Sequence, residues 1–265
     1  RQTLFRMSDL GTAKVEAAAQ SLRDLNPDCM ITPHAQPLDP DNAGALVAGS
    51  DVVLDCADSF AVSYTLSDAC MAAGVALISA SVVGLSGYAG GFCGGAPSLR
   101  AVFPDLPARA GSCATDGVLG PVVGVIGSLQ AQMALGLIAG IGPSPLGRIV
   151  SYDALGPRFG GFGFHGAPEP EQRPAFIARA AIRAGDTVID LRRAEEGPLP
   201  RADAQRFSVE TISELTPPEG ARVVLCCRSG LRAWAAAEQL ISRWEGDIAL
   251  VALGDQTGSP ETTET

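Results

Sequence analysis

A short apolar run followed at once by carboxylates places the strongest constraint on how this chain folds. Residues 51–60 read DVVLDCADSF, and the apolar residues 52–54 show no alternation with polar ones. Such a run is typical of a strand covered on both faces of a sheet. A helical pattern starts at Val62, so Asp58 is predicted just beyond the carboxyl end of a strand, where open α/β sheets bind ligands. The same position also suits an ordinary helix N-cap, and this stretch alone leaves both interpretations open.

Helical and strand patterns alternate along the first two-thirds of the chain. Helices are predicted at 14–25, 42–48 and 62–73, and strands at 29–32, 52–54, 76–83 and 147–154. This alternation predicts an α/β fold with a doubly wound, mostly parallel sheet. Residues 84–95 are rich in glycine with apolar residues at alternate positions, which predicts a hairpin rather than a phosphate loop.

Residues 117–147 contain no charged side chain, so the segment has to be weighed as a membrane span. Gln130, Gln132, Pro121 and several glycines interrupt it, and no basic cluster flanks either end. We therefore expect a helix in the core or at a subunit interface, in a protein that does not enter a membrane.

A second, smaller unit follows a segment rich in glycine and proline. We predict a first domain at 1–156, a linker at 157–175, a second domain at 176–256 and a disordered tail at 257–265. Within the second domain, strands are predicted at 187–191, 223–226 and 248–253, with a helix at 231–243. This pattern predicts a small α/β domain.

Charge and cysteine content narrow the class of protein. With a net charge of −10, the chain offers no basic surface for nucleic acid. Seven cysteines without regular spacing or a secretion signal indicate a reducing compartment, so we expect a cytoplasmic protein. Of 19 basic residues only Lys14 is lysine. Its compact charge suits phosphate oxygens, while a solvated helix face explains it equally well from composition alone.

The most specific local signal is the sequence CCRSGLR at residues 226–232, between an apolar strand and a helix. A thiolate at such a turn gains from the helix dipole and from free backbone N–H groups, so a lowered cysteine pKa is expected. Arg228 and Arg232 add positive charge, and Gly230 allows a tight ring of backbone donors.

Two registers compete within this loop. Cys226 and Arg232 have the C-x5-R spacing of cysteine phosphatases, but Ser229 stands where that loop has glycine. Cys227 begins a tighter loop that suits one sulfur better than a phosphate. We therefore assign Cys227 as a nucleophile that carries a persulfide, with a buried structural thiol as the alternative.

The second domain contains two short motifs, one at the end of its first predicted long strand and one in the cysteine loop. Asp-Leu-Arg at 190–192 matches a D-x-R motif, and CRSGLR matches an active loop; on these residues the domain resembles a rhodanese over 180–254. The family's G-H-I-P-G-A is here GPLPRA at 197–202, so its histidine is absent. The resemblance implies sulfur transfer from a persulfide or thiosulfate donor, with altered substrate access.

The first domain contains six short segments in a characteristic order. They are RQ at 1–2, GTAK at 11–14, LNP at 25–27, DCAD at 55–58, CATDGV at 113–118 and GSLQA at 127–131. On these segments the domain resembles the ThiF/MoeB/HesA branch of the E1-like adenylating enzymes, up to about residue 164. The resemblance implies an E1-like, Rossmann-type sheet that lacks its first βαβ portion, because the family's glycine-rich turn would precede Arg1.

The resemblance also implies a role for each matched residue. Arg1, Gln2 and Lys14 would bind the triphosphate of ATP, and Asp58 would hold Mg²⁺. These charges would act while the C-terminal carboxylate of a carrier protein attacks the α-phosphorus. Cys113 would handle the carrier covalently.

Two departures from the family pattern affect the site. The Asn and Arg that follow D-C-T-D in the family are replaced by Ser59 and Ser63. The family's first zinc pair, C-Y-R-C, aligns with SLRA at 98–101, and no C-x-x-C follows in the linker. Because a tetrahedral structural zinc needs those thiolates, no zinc is expected.

Together the resemblances predict an enzyme that adenylates the C-terminal Gly-Gly of a ubiquitin-like sulfur carrier of the ThiS or MoaD type. A tethered rhodanese domain would supply the sulfur, in thiamine or molybdopterin biosynthesis, and a homodimer is expected. The alternative is a carrier-binding scaffold in which only the rhodanese domain performs chemistry. A nicotinamide-dependent oxidoreductase would need a glycine fingerprint that this sequence does not contain.

Overall fold

The computed structural model describes residues 2–105, 117–171 and 174–254. Arg1, Cys113 and the predicted tail at 257–265 lie outside the described residues. The first unit contains α1 (Lys14–Leu25), α2 (Pro40–Val47), β1 (Val52–Asp55), α3 (Phe60–Ala73), β2 (Ala76–Val83), β3 (Ser86–Cys93), α4 (Leu99–Val102), α5 (Gly120–Ala139), β4 (Arg148–Asp153) and β5 (Arg158–Gly163). The second unit contains β6 (Ala175–Phe176), β7 (Thr187–Asp190), β8 (Gln205–Arg206), β9 (Val223–Cys227), α6 (Leu231–Ile241) and β10 (Ile248–Ala252).

The first sheet has five strands in the order β1-β2-β3-β4-β5. Strands β1 and β2 pair in parallel around α3, while the other three pairs are antiparallel. The predicted α/β class is confirmed, and parallel pairing in the described part of this sheet is limited to that one pair. The hairpin predicted at 84–95 is confirmed in part, since these residues form the turn and β3, while its first strand is β2.

Helices cover both faces of the first sheet. Leu77 of β2 packs in the core cluster that includes α3, whereas Ala89 of β3 packs against Val122 and Ile126 of α5. This division follows from the two-residue period of a strand, which sends alternate side chains to opposite faces. Helix α3 ends at Gly74, whose φ of 67° permits the left-handed C-cap.

Helix α5 is long and apolar enough to cross a membrane by length and composition, which by itself is a weak indication. Its residues Val122, Ile126, Gln130 and Ala134 are buried, forming one stripe along the helix. On the other side Leu135 and Ile138 are each 62% exposed. The expectation of a core helix is therefore confirmed for one face of α5.

Two expectations about strands near the edge of this sheet are wrong. No strand forms at 29–32, where Met30 is 95% exposed, because in the described part of the chain β1 is the last strand on that side. The run 52–54 does form β1, but Leu54 is 41% exposed. An edge strand is not fully covered on both faces, so the apolar run predicts more burial than β1 has.

Strand β5 lies inside the segment 157–175, whose glycines and prolines predict a linker. It pairs antiparallel with β4 over its full length. Its glycines suggest a linker, yet a Cβ at Gly161 would overlap the carbonyl oxygen of Ile149. Glycine there allows close approach of two strands rather than flexibility.

The second sheet is parallel throughout, in the order β6-β10-β9-β7-β8. The predicted strands at 187–191, 223–226 and 248–253 and the helix at 231–243 all form, with ends shifted by at most two residues. Because β9 ends at Cys227 and α6 begins at Leu231, the cysteine loop lies at the carboxyl edge of this sheet.

Candidate functional site

The loop between β1 and α3 is fixed by a buried carboxylate. Asp55 is 1% exposed, and it accepts hydrogen bonds from the amide of Ala57 at 3.1 Å and the hydroxyl of Ser79 at 2.8 Å. Gln130 of α5 donates to the carbonyl oxygens of Asp55 at 2.7 Å and Ile78 at 2.9 Å. The ends of β1 and β2 are thus held together at the edge where such sheets bind ligands.

Asp58 and Lys14 are both exposed, Asp58 in this loop and Lys14 as the first residue of α1. In the described part of the chain, neither side chain takes part in a hydrogen bond or an ion pair. Gln2 is likewise exposed. A carboxylate and an ammonium without protein partners fit a Mg²⁺–phosphate ligand by their chemistry. The structure does not bring Lys14 and Asp58 into contact with each other.

The position that aligns with a zinc cysteine is occupied by a hydrogen-bonded serine. The amide and the hydroxyl of Ser98 each donate to the carboxylate of Glu169 at 2.6 Å. The hydroxyl also accepts from the amide of Ala101 at 3.2 Å as the N-cap of α4. These groups do not fit a structural zinc ion, and within the described ranges no cluster of metal-binding side chains occurs.

Backbone amides at the start of α6 donate to the sulfur of Cys227, which is buried. Its sulfur accepts hydrogen bonds from the amides of Gly230 at 3.1 Å and Ala233 at 3.4 Å. Gly230 has a φ of 90°, which lets the chain turn tightly into α6. Burial raises the pKa of the Cys227 thiol, while the backbone amides and Arg232 act in the opposite direction. The expected lowering of this pKa is therefore wrong, because desolvation exceeds the effect of the donors.

Cys226 faces the other side of the sheet. Its side chain packs among Val188, Val224 and Val251, and burial raises its pKa to about 12. The geometry favours Cys227 over Cys226 as the nucleophile, since the backbone donors point to the sulfur of Cys227.

The two arginines of the loop differ in their surroundings. Arg232 donates to Glu196 at 2.5 and 2.7 Å and to the carbonyl oxygen of Leu191 at 2.9 Å. Arg228 is exposed, and its carbonyl oxygen accepts from the amide of Gly254 at 2.9 Å. Arg232 thus fixes the start of α6.

The ion pair of Glu196 predicts an acid-dependent loss of stability. Hydrogen bonding by Arg232 lowers the pKa of Glu196 from 4.5 to about 2. Because the folded-state pKa is depressed, the pair stabilises the protein above pH 4.5, and this stabilisation is lost as the pH falls towards 2. We expect Glu196→Gln to cost about 1 kcal/mol at neutral pH, measured by urea unfolding, and the cost to disappear at low pH. The exposed Glu195→Gln is the control, and a cost that does not change with pH would contradict the assignment.

Asp190 and Arg192 support the cysteine loop from the neighbouring strand. They form a buried ion pair with hydrogen bonds of 3.0 and 3.1 Å, and the amide of Leu191 donates to the carbonyl oxygen of Cys226. A cavity of about 640 Å³ opens beside the loop, lined in part by Arg192, Arg193, Arg206, Arg232 and Trp234. Three of these arginines are already paired, Arg192 and Arg206 with Asp190 and Arg232 with Glu196.

Gly230 is the position where a small change has a large effect on this loop. A Cβ there would lie 2.7 Å from the ring of Phe176 and 3.1 Å from Ala61, at a positive φ. We expect Gly230→Ala to lower the free energy of unfolding by about 1–3 kcal/mol. Gly185→Ala is the control, since nothing lies within 4 Å of its Cβ position. Equal urea midpoints for the two variants would refute this packing argument.

Several residues of these sites were missed by sequence reasoning. Gln130 lies in the matched GSLQA segment, but its role in joining β1 to β2 is visible only in the fold. Glu169 and Glu196 carry no local signal, because each bonds a group far along the chain. Glu169 lies in a proline-rich run that predicts a linker.

Comparisons with known proteins agree on the first unit. Residues 1–173 match the model of the ThiF family. Over 158 residues the chain is 46% identical to adenylyltransferase and sulfurtransferase MOCS3 of Bos taurus, covering 58% of this chain and 35% of that protein. It is 40% identical over 157 residues to molybdopterin-synthase adenylyltransferase of Escherichia coli, covering 58% and 63%. It is 38% identical over 157 residues to SAMP-activating enzyme E1 of Haloferax volcanii, covering 58% of each.

Solved structures agree on the fold. Escherichia coli MccB bound to ATP superimposes with a TM-score of 0.54 at 18% identity, covering 62% of this chain and 52% of that one. This similarity shows that the matched part shares the fold of MccB. The chain spans from about a third to about three-fifths of the length of the curated relatives named above. Since the family match covers more than half of its residues, the chain belongs to the ThiF family.

Proposed function

We propose that this protein adenylates the C-terminus of a ubiquitin-like sulfur carrier and then supplies sulfur to it from a rhodanese-like unit. The relatives' names, which include an adenylyltransferase for molybdopterin synthase and an enzyme that activates SAMP, support the first step. The name of the MOCS3 relatives, adenylyltransferase and sulfurtransferase, supports the combination of both steps. We assign the pathway to molybdopterin biosynthesis, with thiamine biosynthesis as the second possibility.

The loop at 55–59 is the observation that carries the adenylation proposal. Gln130 and Ser79 hold its start, and Asp58 stands exposed at the carboxyl edge of the sheet. In the proposed reaction the carrier's C-terminal carboxylate attacks the α-phosphorus of ATP, an oxygen–phosphorus bond forms, and pyrophosphate leaves. Mg²⁺ held by Asp58 would neutralise phosphate charge, and Lys14 would bind phosphate oxygens.

The backbone donors to the Cys227 sulfur support the sulfur-transfer step. A Cys227 thiolate would attack the outer sulfur of thiosulfate or of a protein persulfide, breaking its sulfur–sulfur bond and releasing sulfite or a thiol. The backbone amides of Gly230 and Ala233 would stabilise the negative charge on the bound sulfur. We place this unit at residues 175–254, after a first unit that extends through β5.

ATP–pyrophosphate exchange on the full-length protein tests the proposal. Exchange that requires both Mg²⁺ and a carrier ending in Gly-Gly is the expected result. If exchange is absent while transfer from thiosulfate to cyanide proceeds, the protein is a carrier-binding scaffold with a sulfurtransferase unit. That outcome would refute the adenylation step.

We also propose a homodimer that functions in the cytoplasm. The exposed apolar side chains of α5, including Leu135 and Ile138, offer a surface for a second copy. Light scattering at micromolar concentration is expected to give twice the mass of one chain. A monomeric mass would refute the dimer.

A further inference from the structure

Arg100 lies where the two units meet. It donates two hydrogen bonds to the carboxylate of Asp68 in α3, at 2.6 and 2.7 Å, and its side chain is only 8% exposed. Its guanidinium also lies 4.9 Å from the ring centroid of Tyr64 and 5.4 Å from that of Trp234 in α6. Pairing with a carboxylate and contact with two rings offset the cost of burying the cation. Arg100 therefore joins α3 of the first unit to α6 of the second.

The two rings extend this contact into a shared core. The centroids of Tyr64 and Trp234 are 5.4 Å apart, and Trp234 also stacks on Phe176 of β6 at 6.5 Å. Tyr64 is fixed in turn, because its hydroxyl donates to the carbonyl oxygen of Phe103 at 2.6 Å. One hydrophobic cluster includes buried side chains from both sheets. The second unit is thus packed against the first rather than joined to it by a chain segment alone.

This packing brings the starts of α3 and α6 together. A Cβ on Gly230 would lie 3.1 Å from the Cβ of Ala61. The amide of Gly230 donates to the sulfur of Cys227, and Ala61 lies in the first turn of α3, directly after the loop that carries Asp58. The loop that carries Cys227 and the loop that carries Asp58 therefore both lie next to the contact between Gly230 and Ala61.

The connection between the units is held at the same place. Glu169 accepts two hydrogen bonds from Ser98, the residue that caps α4, and Arg100 belongs to α4. A single short helix thus holds the connecting segment, α3 and α6.

We propose that Arg100 is a positioning residue that keeps the Cys227 loop beside the Asp58 loop, so that sulfur passes to the adenylated carrier within one chain. This inference rests on the proposed function. Correct placement of two reacting groups lowers the barrier strongly, and a small displacement costs much of that gain.

The step that depends on this placement can be written with its atoms balanced. The terminal sulfur of the Cys227 persulfide attacks the acyl carbon of the carrier adenylate, a carbon–sulfur bond forms, and AMP leaves with the electron pair of the carbon–oxygen bond. A low-molecular-weight thiol then attacks the Cys227 sulfur of the acyl disulfide, and the carrier thiocarboxylate leaves. A second thiol reduces the resulting mixed disulfide and restores Cys227.

The substitution Arg100→Lys tests the inference, since lysine keeps the charge but loses the bidentate pair and the planar stacking. Three rates are measured on the full-length protein: ATP–pyrophosphate exchange, sulfur transfer from thiosulfate to cyanide, and formation of carrier thiocarboxylate with thiosulfate and dithiothreitol. We expect the first two to stay within about twofold of wild type and the third to fall at least about tenfold. The control is Arg158→Lys, which changes an exposed pair with Asp153 and should leave all three rates unchanged.

The measured rates distinguish failure of the role proposed for Arg100 from failure of the proposed function. An unchanged third rate, or an equal fall in all three, would overturn the positioning role of Arg100. Absence of exchange or of cyanide transfer in the wild-type protein would instead refute the proposed function itself, and this inference with it.

A second measurement does not depend on the folding of the Arg100 variant. Chains carrying Asp58→Ala are mixed with chains carrying Cys227→Ala, and thiocarboxylate formation is measured. Transfer within one chain predicts no product above the sum of the two variants alone. Restored formation would show transfer between chains and overturn the inference.

Discussion

Replacing Cys227 with alanine is expected to reduce sulfur transfer from thiosulfate to cyanide by about a thousandfold or more. The reaction needs a sulfur atom that can accept and release a second sulfur, and alanine offers no substitute. The backbone amides of Gly230 and Ala233 point to this sulfur, so no other side chain of the loop can take its place. Thiocyanate formation under saturating thiosulfate measures the effect.

Cys226→Ala is the matched control. Its side chain packs among valines on the other face of β9, and we expect the control to retain activity within a few-fold of wild type. A loss in Cys226→Ala with activity intact in Cys227→Ala would reverse the choice of register and return the loop to the C-x5-R interpretation.

Replacing Asp58 with alanine is expected to lower carrier-dependent ATP–pyrophosphate exchange by about 10²–10³-fold. The carboxylate stands exposed beyond β1 without a protein partner in the described chain, so its removal takes away a Mg²⁺ ligand without leaving a buried group unsatisfied. The same variant should need more Mg²⁺ for half-maximal exchange. Sulfur transfer to cyanide should not change, because that reaction uses the other loop.

Asp51→Ala is the control for this prediction, since Asp51 is exposed just before the same strand. It removes the same charge at the opposite end of β1 without touching the loop. Equal exchange rates in Asp58→Ala and wild type would exclude Asp58 from the nucleotide site.

Local patterns predicted much of this fold. The α1 helix has the ends that the sequence predicts, and α3 ends at residue 73 as predicted, with Gly74 as its C-cap. Both helix ends are set by local interactions. These are the helical periodicity of the apolar residues and a left-handed C-cap that glycine adopts without strain. The β2 strand was likewise predicted with its observed bounds.

Features that depend on distant neighbours could not be predicted in this way. The segment 29–32 has a strand-like composition, but a strand forms only where a partner lies beside it. Strand β5 could not be predicted because its glycines are typical of a linker, while in the fold they allow two strands to approach closely. The contacts of Arg100 and Glu169 join segments 32 to 71 residues apart, and no local pattern records them.

The features of the candidate sites also divide into those set by local sequence and those set by distant neighbours. The turn at Gly230 and the backbone donors to the Cys227 sulfur agree with the prediction because both are local features, while the role of Cys227 as a nucleophile stays a prediction. The sign of the Cys227 pKa shift was missed, since it depends on burial by residues from both units. The sequence also predicts a flexible linker between the two units, whereas the units pack against each other. This packing depends on residues far apart in the chain, so no local pattern indicates it.

Mass spectrometry of the carrier gives the most direct test of the central claim, that one protein both adenylates the carrier and supplies its sulfur. The full-length protein is incubated with a carrier ending in Gly-Gly, ATP, Mg²⁺, thiosulfate and a thiol. We predict a carrier thiocarboxylate with wild type, a carrier adenylate without thiocarboxylate with Cys227→Ala, and unmodified carrier with Asp58→Ala. Thiocarboxylate formed without ATP, or formed at the wild-type rate by Cys227→Ala, would contradict the account.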